Sequence, residues 1–152
     1  LSQQDTGLID VAKVAKGIYQ AIISSMLNPE FTLKAEFKAD EVQLPSDKAT
    51  SIALILNELL QNTIEHAFEG RSQGMLEVHF IEEEQQYLLS IADDGIGLPE
   101  GFSLQAMRES LGLKIIRTMA ESDLRGSFSL TNREQGGTLA LVTIPKEGHG
   151  RC

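Results

Sequence analysis

Apolar side chains recur along this chain with two different periods, and the switches between the periods mark out its elements. Over residues 8–27, Ile9, Val11, Val14, Ala15, Ile18, Ile22 and Ile23 keep close to the three-and-four spacing of a helix with one buried face. Asn28-Pro29 stops it, because proline lacks an N–H and pushes its predecessor out of the helical region. Phe31, Leu33, Ala35 and Phe37 then alternate with Thr32, Lys34, Glu36 and Lys38, the period of a half-buried strand. Pro45-Ser46-Asp47 opens a long helix with Ser46 as its cap, which runs to about Phe68 ahead of Glu69-Gly70. Ile52, Ile55, Leu56, Leu59, Leu60 and Ala67 give that helix its apolar face.

Further on, residues 75–81 and 87–92 read as the two strands of a hairpin with an acidic, glutamine-containing turn. Asp93-Asp94-Gly95-Ile96-Gly97-Leu98-Pro99 is a loop by composition, and residues 100–109 carry no clear period. A helix over residues 110–120 turns Leu113, Ile116 and Met119 inward, and strands at 126–131 and 138–144 flank a turn at 132–137. Two hairpins, with helices that do not alternate strictly with strands, predict an α+β two-layer sandwich rather than a doubly wound sheet. The helices should cover one face of a mixed, mostly antiparallel sheet. Residues 1–7 read as a polar connector and 146–152 as a frayed tail, which leaves 8–145 as the domain.

Length and charge narrow the classes. At 152 residues the chain is one ordinary domain with room for a core. A net charge of −9 argues against a general nucleic-acid or anionic-membrane surface, but a metal ion and a few aimed donors can still neutralise phosphates locally. There is no apolar run of membrane-spanning length and no signal-peptide pattern. The single cysteine, Cys152, allows no internal disulfide and fits a reducing compartment. The chain opens on Leu1, which points to an excised piece of something longer.

Four stretches carry candidate chemistry. On the long helix, about 100° per residue puts Glu58 and Asn62 roughly 40° apart on successive turns, with Glu65 on the same line. A carboxylate and a carboxamide stacked this way suit a hydrated magnesium ion; a solvated helix face reads the same. In Asp93-Asp94-Gly95-Ile96-Gly97, the glycines permit positive backbone angles and close ligand approach. A carboxylate fixed there accepts a hydrogen bond from an exocyclic amine such as that of adenine, while a plain tight turn is the alternative. Ser110-Leu111-Gly112-Leu113 offers helix-start amides to an anion, with Arg108 or Lys114 nearby, or else a packing glycine. Gly136-Gly137-Thr138 enters the last strand, where a hairpin turn alone would account for it.

The order of these motifs is similar to that of the GHKL (Bergerat-fold) ATP-binding superfamily of gyrase-type ATPases, Hsp90, mismatch-repair ATPases and histidine kinases. Asn57-Glu58-Leu59-Leu60-Gln61-Asn62 with His66-Ala67-Phe68, together with Leu98-Pro99 and Ser110-Leu111-Gly112-Leu113, most resembles the catalytic domain of bacterial sensor histidine kinases. The likeness runs from about Leu8 to Pro145. It implies ATP and Mg2+ as cofactors, with Asn62 coordinating magnesium and Glu58 orienting or deprotonating the attacking group. Asn57 would lie near the phosphates, though off the stripe. Asp93 would bind the adenine amino group with Thr138 beside it through a water, Gly95 and Gly97 would shape the base pocket, and Gly112 with Leu113 would admit the phosphates. Residues 98–110 would be a lid over the nucleotide.

Two positions depart from the pattern: Glu65 stands where many relatives carry a basic residue, and Ser110 where glycine is frequent. His66 reads as a core or supporting residue, and neither His79 nor His149 as a phosphoacceptor. The helical hairpin bearing a substrate histidine is missing, so the partners implied are a histidine-bearing dimerisation domain and a response regulator. The full-length protein would be a homodimer, and this domain would be cytoplasmic, with no nucleic acid and no direct membrane contact. An anti-sigma-factor serine kinase of the same fold, and a nucleotide-binding interaction module without catalysis, are the alternatives.

Overall fold

The helix expected from residue 8 starts three residues later, because the first apolar residues are used as a strand. In the computed structural model, which describes residues 7–25, 28–98 and 111–146, Leu8–Asp10 (β1) pairs antiparallel with Gln43–Pro45 (β3). Val11 N–H donates to the Val42 carbonyl at 2.9 Å, and the Asp10 carboxylate accepts from Lys13 N–H at 3.1 Å. That carboxylate satisfies one orphan donor of the first turn, so helix α1 runs Val11–Ser25. Neither three-residue strand is long enough to show a period; long-range pairing alone creates them.

Thr32–Ala39 forms β2, and helix α2 spans Ser46–His66. Its cap is Pro45, with no side-chain cap bond, so Ser46 is the first helical residue rather than the cap expected of it. The hairpin expected at 75–92 is β4 (Gln73–Glu82) and β5 (Gln86–Asp93). Helix α3, Leu111–Thr118, stops short of Ala120 and gives way to a π-helical turn over Met119–Asp123. Ser51 Oγ–H donates to the Asp123 carboxylate at 3.3 Å and Lys48 Nζ to its carbonyl at 3.1 Å, which ties this turn to the start of α2. The chain ends in the hairpin β6 (Ser127–Asn132) and β7 (Thr138–Pro145).

The main sheet has the order β2-β4-β5-β7-β6, with β2–β4 parallel and every other pair antiparallel. Along β4 the side chains of Leu76, Val78 and Phe80 are buried while Glu77, His79 and Ile81 between them are less so, which assigns one sheet face to the core. On that face pack Ile52, Ile55, Leu56, Leu59 and Leu60 of α2, Val11, Ala15 and Ile22 of α1, and Ile116 of α3. The α+β two-layer sandwich with a mixed, mostly antiparallel sheet is therefore what the chain forms. Among the described residues no helix is long and apolar enough to cross a membrane.

Candidate functional site

At the end of β5 the strand parity turns Asp93 to the helix side, where it is only 3 % exposed. Its Oδ1 accepts the Gly95 N–H at 2.8 Å and the Thr138 N–H at 3.2 Å. Both bonds land on Oδ1, which leaves Oδ2 as the acceptor for a bound group. Burial raises the carboxyl pKa above its ordinary value; the two amides and the Arg133 guanidinium pull it back in part, while Asp94 adds to the rise. The Thr138 contact is a direct bond from its backbone N–H.

Asp94, the next residue, faces the other way and is bound into the scaffold. Its Oδ1 accepts the Met75 N–H at 2.8 Å, its Oδ2 lies 3.6 Å from Arg71 Nη2, and its carbonyl accepts from Arg71 Nη1. The two adjacent carboxylates thus have separate duties, one toward a cleft and one as a latch.

Asp93 lines a cleft of about 340 Å³ between α2 and the sheet. Leu59, Asn62, Thr63 and His66 of α2 form one side; Ile91, Leu130, Thr138 and Ala140 of the sheet form its floor; Ile96, Gly97, Leu98 and Leu113 complete it. The walls are mainly apolar with a few aimed polar groups, the usual character of a pocket for a flat organic ligand. Ile96 is 60 % exposed, an apolar side chain that presents an open face to the cleft.

The glycine loops act differently from one another. Gly97 has the positive φ expected, +81°, but Gly95 does not; its neighbour Ile96 donates its N–H to the Ala67 carbonyl at 2.8 Å, so Gly95 serves close approach to α2 rather than a left-handed turn. Gly137 has φ +95°, and a Cβ there would sit 1.9 Å from the Asp93 carbonyl oxygen. Gly137→Ala should therefore cost about 1–2 kcal/mol of stability. Urea unfolding should show a lower midpoint with an unchanged slope.

Beside the cleft, Gly112 at the start of α3 faces the α2 stripe. A Cβ on Gly112 would lie 2.7 Å from Glu58 Oε1 and 3.4 Å from Asn62 Nδ2, so the glycine, the carboxylate and the carboxamide share one corner. Asn62 lines the cleft and Glu58 lies just behind it. Asn57 does not line it; its Oδ1 accepts a bond from Gln61 Nε2 at 3.3 Å along the helix.

His66 is not a core residue: its side chain is 70 % exposed, lies 3.8 Å from Glu65 and stands at the cleft wall, which leaves the supporting role of the two expected. Glu65 itself points outward into that pair. Most of the segment expected to form a lid, residues 99–110 with Ser110 and Arg108, lies outside the described residues, as do Pro99, His149 and most of the two terminal segments.

Sequence reasoning overlooked Thr63, Ile96, Asn132 and Arg133. Asn132 Oδ1 accepts the Leu98 N–H at 2.8 Å, and Arg133 Nη1 donates to the Asp93 carbonyl at 2.6 Å. Only Ile96, an apolar residue between two glycines, carried a readable signal; the other roles depend on distant partners. Among the described residues no cluster of three or more His, Cys, Asp or Glu side chains is placed to hold a metal ion. A magnesium ion carried in by phosphates does not require one, since it keeps several waters and takes only one or two protein oxygens. Asn62, whose side chain carries one amide oxygen and lines the cleft, fits that donor set.

Residues 47–148 match the family model described as histidine kinase-, DNA gyrase B-, and HSP90-like ATPase. The sensor histidine kinase PdtaS of Mycobacterium tuberculosis is 37 % identical over 109 residues, which is 71 % of this chain and 22 % of that protein. Blue-light-activated histidine kinase 2 of Erythrobacter litoralis is 29 % identical over 148 residues, covering 90 % of this chain and 41 % of its own length. The solved histidine kinase domain of the Erythrobacter litoralis EL346 blue-light activated kinase superposes with a TM-score of 0.80 at 28 % identity, over 90 % of this chain and 61 % of that one. The chain thus spans about a fifth to two fifths of the curated relatives it matches.

Proposed function

Because the chain belongs to the histidine kinase-, DNA gyrase B- and HSP90-like ATPase family, we propose that it is the ATP-binding catalytic domain of a bacterial sensor histidine kinase. It transfers the γ-phosphoryl group of MgATP to a histidine on a separate dimerisation domain, from which a response regulator is served. The whole protein works as a homodimer, with residues 8–145 as its catalytic unit on the cytoplasmic side.

One observation carries the reading: a 3 % exposed carboxylate and Asn62 line the same apolar cleft, and Asn62 stands beside Glu58 where Gly112 packs. Asp93 Oδ2 accepts from the exocyclic amine of adenine, Gly95 and Gly97 shape the loop around the base, and Ile96, Leu130 and Ala140 give its ring apolar surface. Gly112 and Leu113 leave room for the phosphates, and Asn57 lies behind them. Asn62 holds magnesium, which when bound neutralises phosphate charge. Glu58 orients the incoming imidazole and accepts its proton. The protein's share of the chemistry is positioning and charge stabilisation.

The two relatives cited above, which match most of the chain, bear histidine-kinase names, which favours this reading over an anti-sigma-factor serine kinase. Glu58 beside Asn62 favours catalysis over mere binding. The test supplies the histidine-bearing domain from the same protein and γ-labelled ATP. Acid-labile label should appear on that domain and none on this chain alone; label on serine of a small partner protein would transfer the case to the anti-sigma kinase. In the same system, Asn62→Ala should weaken MgATP binding about tenfold or more, the scale of a lost charge-assisted contact. Calorimetry in EDTA should show the two proteins binding metal-free nucleotide alike.

A further inference from the structure

The β6–β7 hairpin end, Asn132 to Thr138, grips the Asp93–Leu98 loop at three points. Arg133 Nη1 holds the Asp93 carbonyl at 2.6 Å, the Thr138 N–H holds Asp93 Oδ1 at 3.2 Å, and Asn132 Oδ1 holds the Leu98 N–H at 2.8 Å. The turn is itself braced, by Arg133 N–H on the Gly137 carbonyl at 2.9 Å and Gly136 N–H on the Arg133 carbonyl at 3.1 Å. Asn132 closes β6, in register with Thr138, so strand pairing sets where its side chain starts. A Cβ on Gly97 would lie 2.9 Å from Asn132 Oδ1, so the carboxamide oxygen packs against that glycine as well as bonding the next amide. Gly97 and Leu98 both line the cleft, and Asn132 does not.

We propose that Asn132 is a positioning residue for nucleotide binding: its Oδ1 fixes the Gly97–Leu98 backbone, and through it the cleft wall formed by Ile96, Gly97 and Leu98. The residue touches no ligand. It supplies a preset wall, so that the loop's conformational freedom is not lost at the moment of binding. Asn132 is exposed at a strand end, so its side chain adds little to the core. The inference rests on the cleft being the nucleotide site.

The test compares Asn132→Ala, which removes the acceptor, with Asn132→Asp, which keeps an oxygen at the same reach. Amide exchange at Leu98, unfolding midpoint, and affinity for ATP and ADP with and without magnesium are measured on each. The wild type should show a protected Leu98 amide. Asn132→Ala should expose that amide and weaken ATP and ADP alike by about tenfold, one hydrogen bond's worth, whether or not magnesium is present. Asn132→Asp should restore both protection and affinity. A freely exchanging Leu98 amide in the wild type overturns the proposal, a result that holds even where Asn132→Ala does not fold. So does Asn132→Ala binding nucleotide like the wild type, or Asn132→Asp binding as poorly as Asn132→Ala. A wild-type protein that binds no adenine nucleotide fails the nucleotide reading first, and is told apart from these by that control alone.

Discussion

Glu58→Gln should slow phosphoryl transfer to the histidine-bearing domain by a factor of about 100 or more, the usual scale for loss of a general base. Affinity for MgATP should change by less than about twofold, because the glutamine keeps the size and hydrogen bonding that binding uses. The split follows from where the side chain stands. Glu58 lies behind the cleft lining, at the Gly112 corner beside Asn62, while the groups that would hold the base and metal are Asp93 and Asn62. The substituted glutamine presents an amide of the same shape to that corner, so α3 keeps its seat, but an amide nitrogen cannot take a proton from imidazole. Single-turnover transfer from labelled ATP, read beside calorimetry, separates the two quantities. Equal loss of affinity and rate would instead make Glu58 a binding residue.

Asp93→Asn is expected to cost about 1–3 kcal/mol of ATP affinity, roughly 5- to 150-fold. The asparagine Oδ1 can still accept the Gly95 and Thr138 amides, so the loop stays in place. Its NH2 then stands where Oδ2 was, and a donor faces the amine's donor. Guanine nucleotides, which offer no amine at that position, should lose less.

Acid should act on the wild type in the same way. Burial holds the Asp93 pKa above the usual carboxylate value, so ATP affinity should begin to fall at a higher pH than an ordinary carboxylate would allow. The Asn variant should lack that phase. Stability of the free protein runs with the opposite sign. Its folded state binds the Asp93 proton more tightly than the unfolded chain does. That contribution is fully present below the unfolded pKa and is lost as pH rises through the folded one.

Legibility tracked the length of the pattern. The 21 residues of α2 and the two hairpins repeat their periods often enough to be read directly, and Asp93 was marked by the glycines behind it. Leu8–Asp10 and Gln43–Pro45 were invisible as strands because three residues complete no period, and their pairing joins segments far apart in the chain. The same limit hid the β6–β7 turn. Asn132 and Arg133 read as turn residues, and only the fold brings them to Leu98 and Asp93. Asn57 and Glu58 differ by one position, and the roughly 100° between them decides which one reaches the Gly112 corner.

Asp93 and Asp94 have the same side chain and differ in duty only through the odd or even count of residues along β5. Evolution can therefore edit this hairpin in some ways and not others. Residues gained or lost within the turn at Glu83 and Gln86 leave the ladder from Leu76↔Asp93 to Glu82↔Tyr87 undisturbed. A single residue gained or lost in the β5 arm, with no bulge to absorb it, turns both carboxylates to the opposite face. A gain carries Asp93 to the place of Asp94, and a loss carries Asp94 to the place of Asp93. Either change leaves the cleft or the Arg71 latch without its carboxylate. Among chains of this family, length variation in this hairpin should accordingly collect at its tip, and any single-residue change within its arms should come with a compensating bulge.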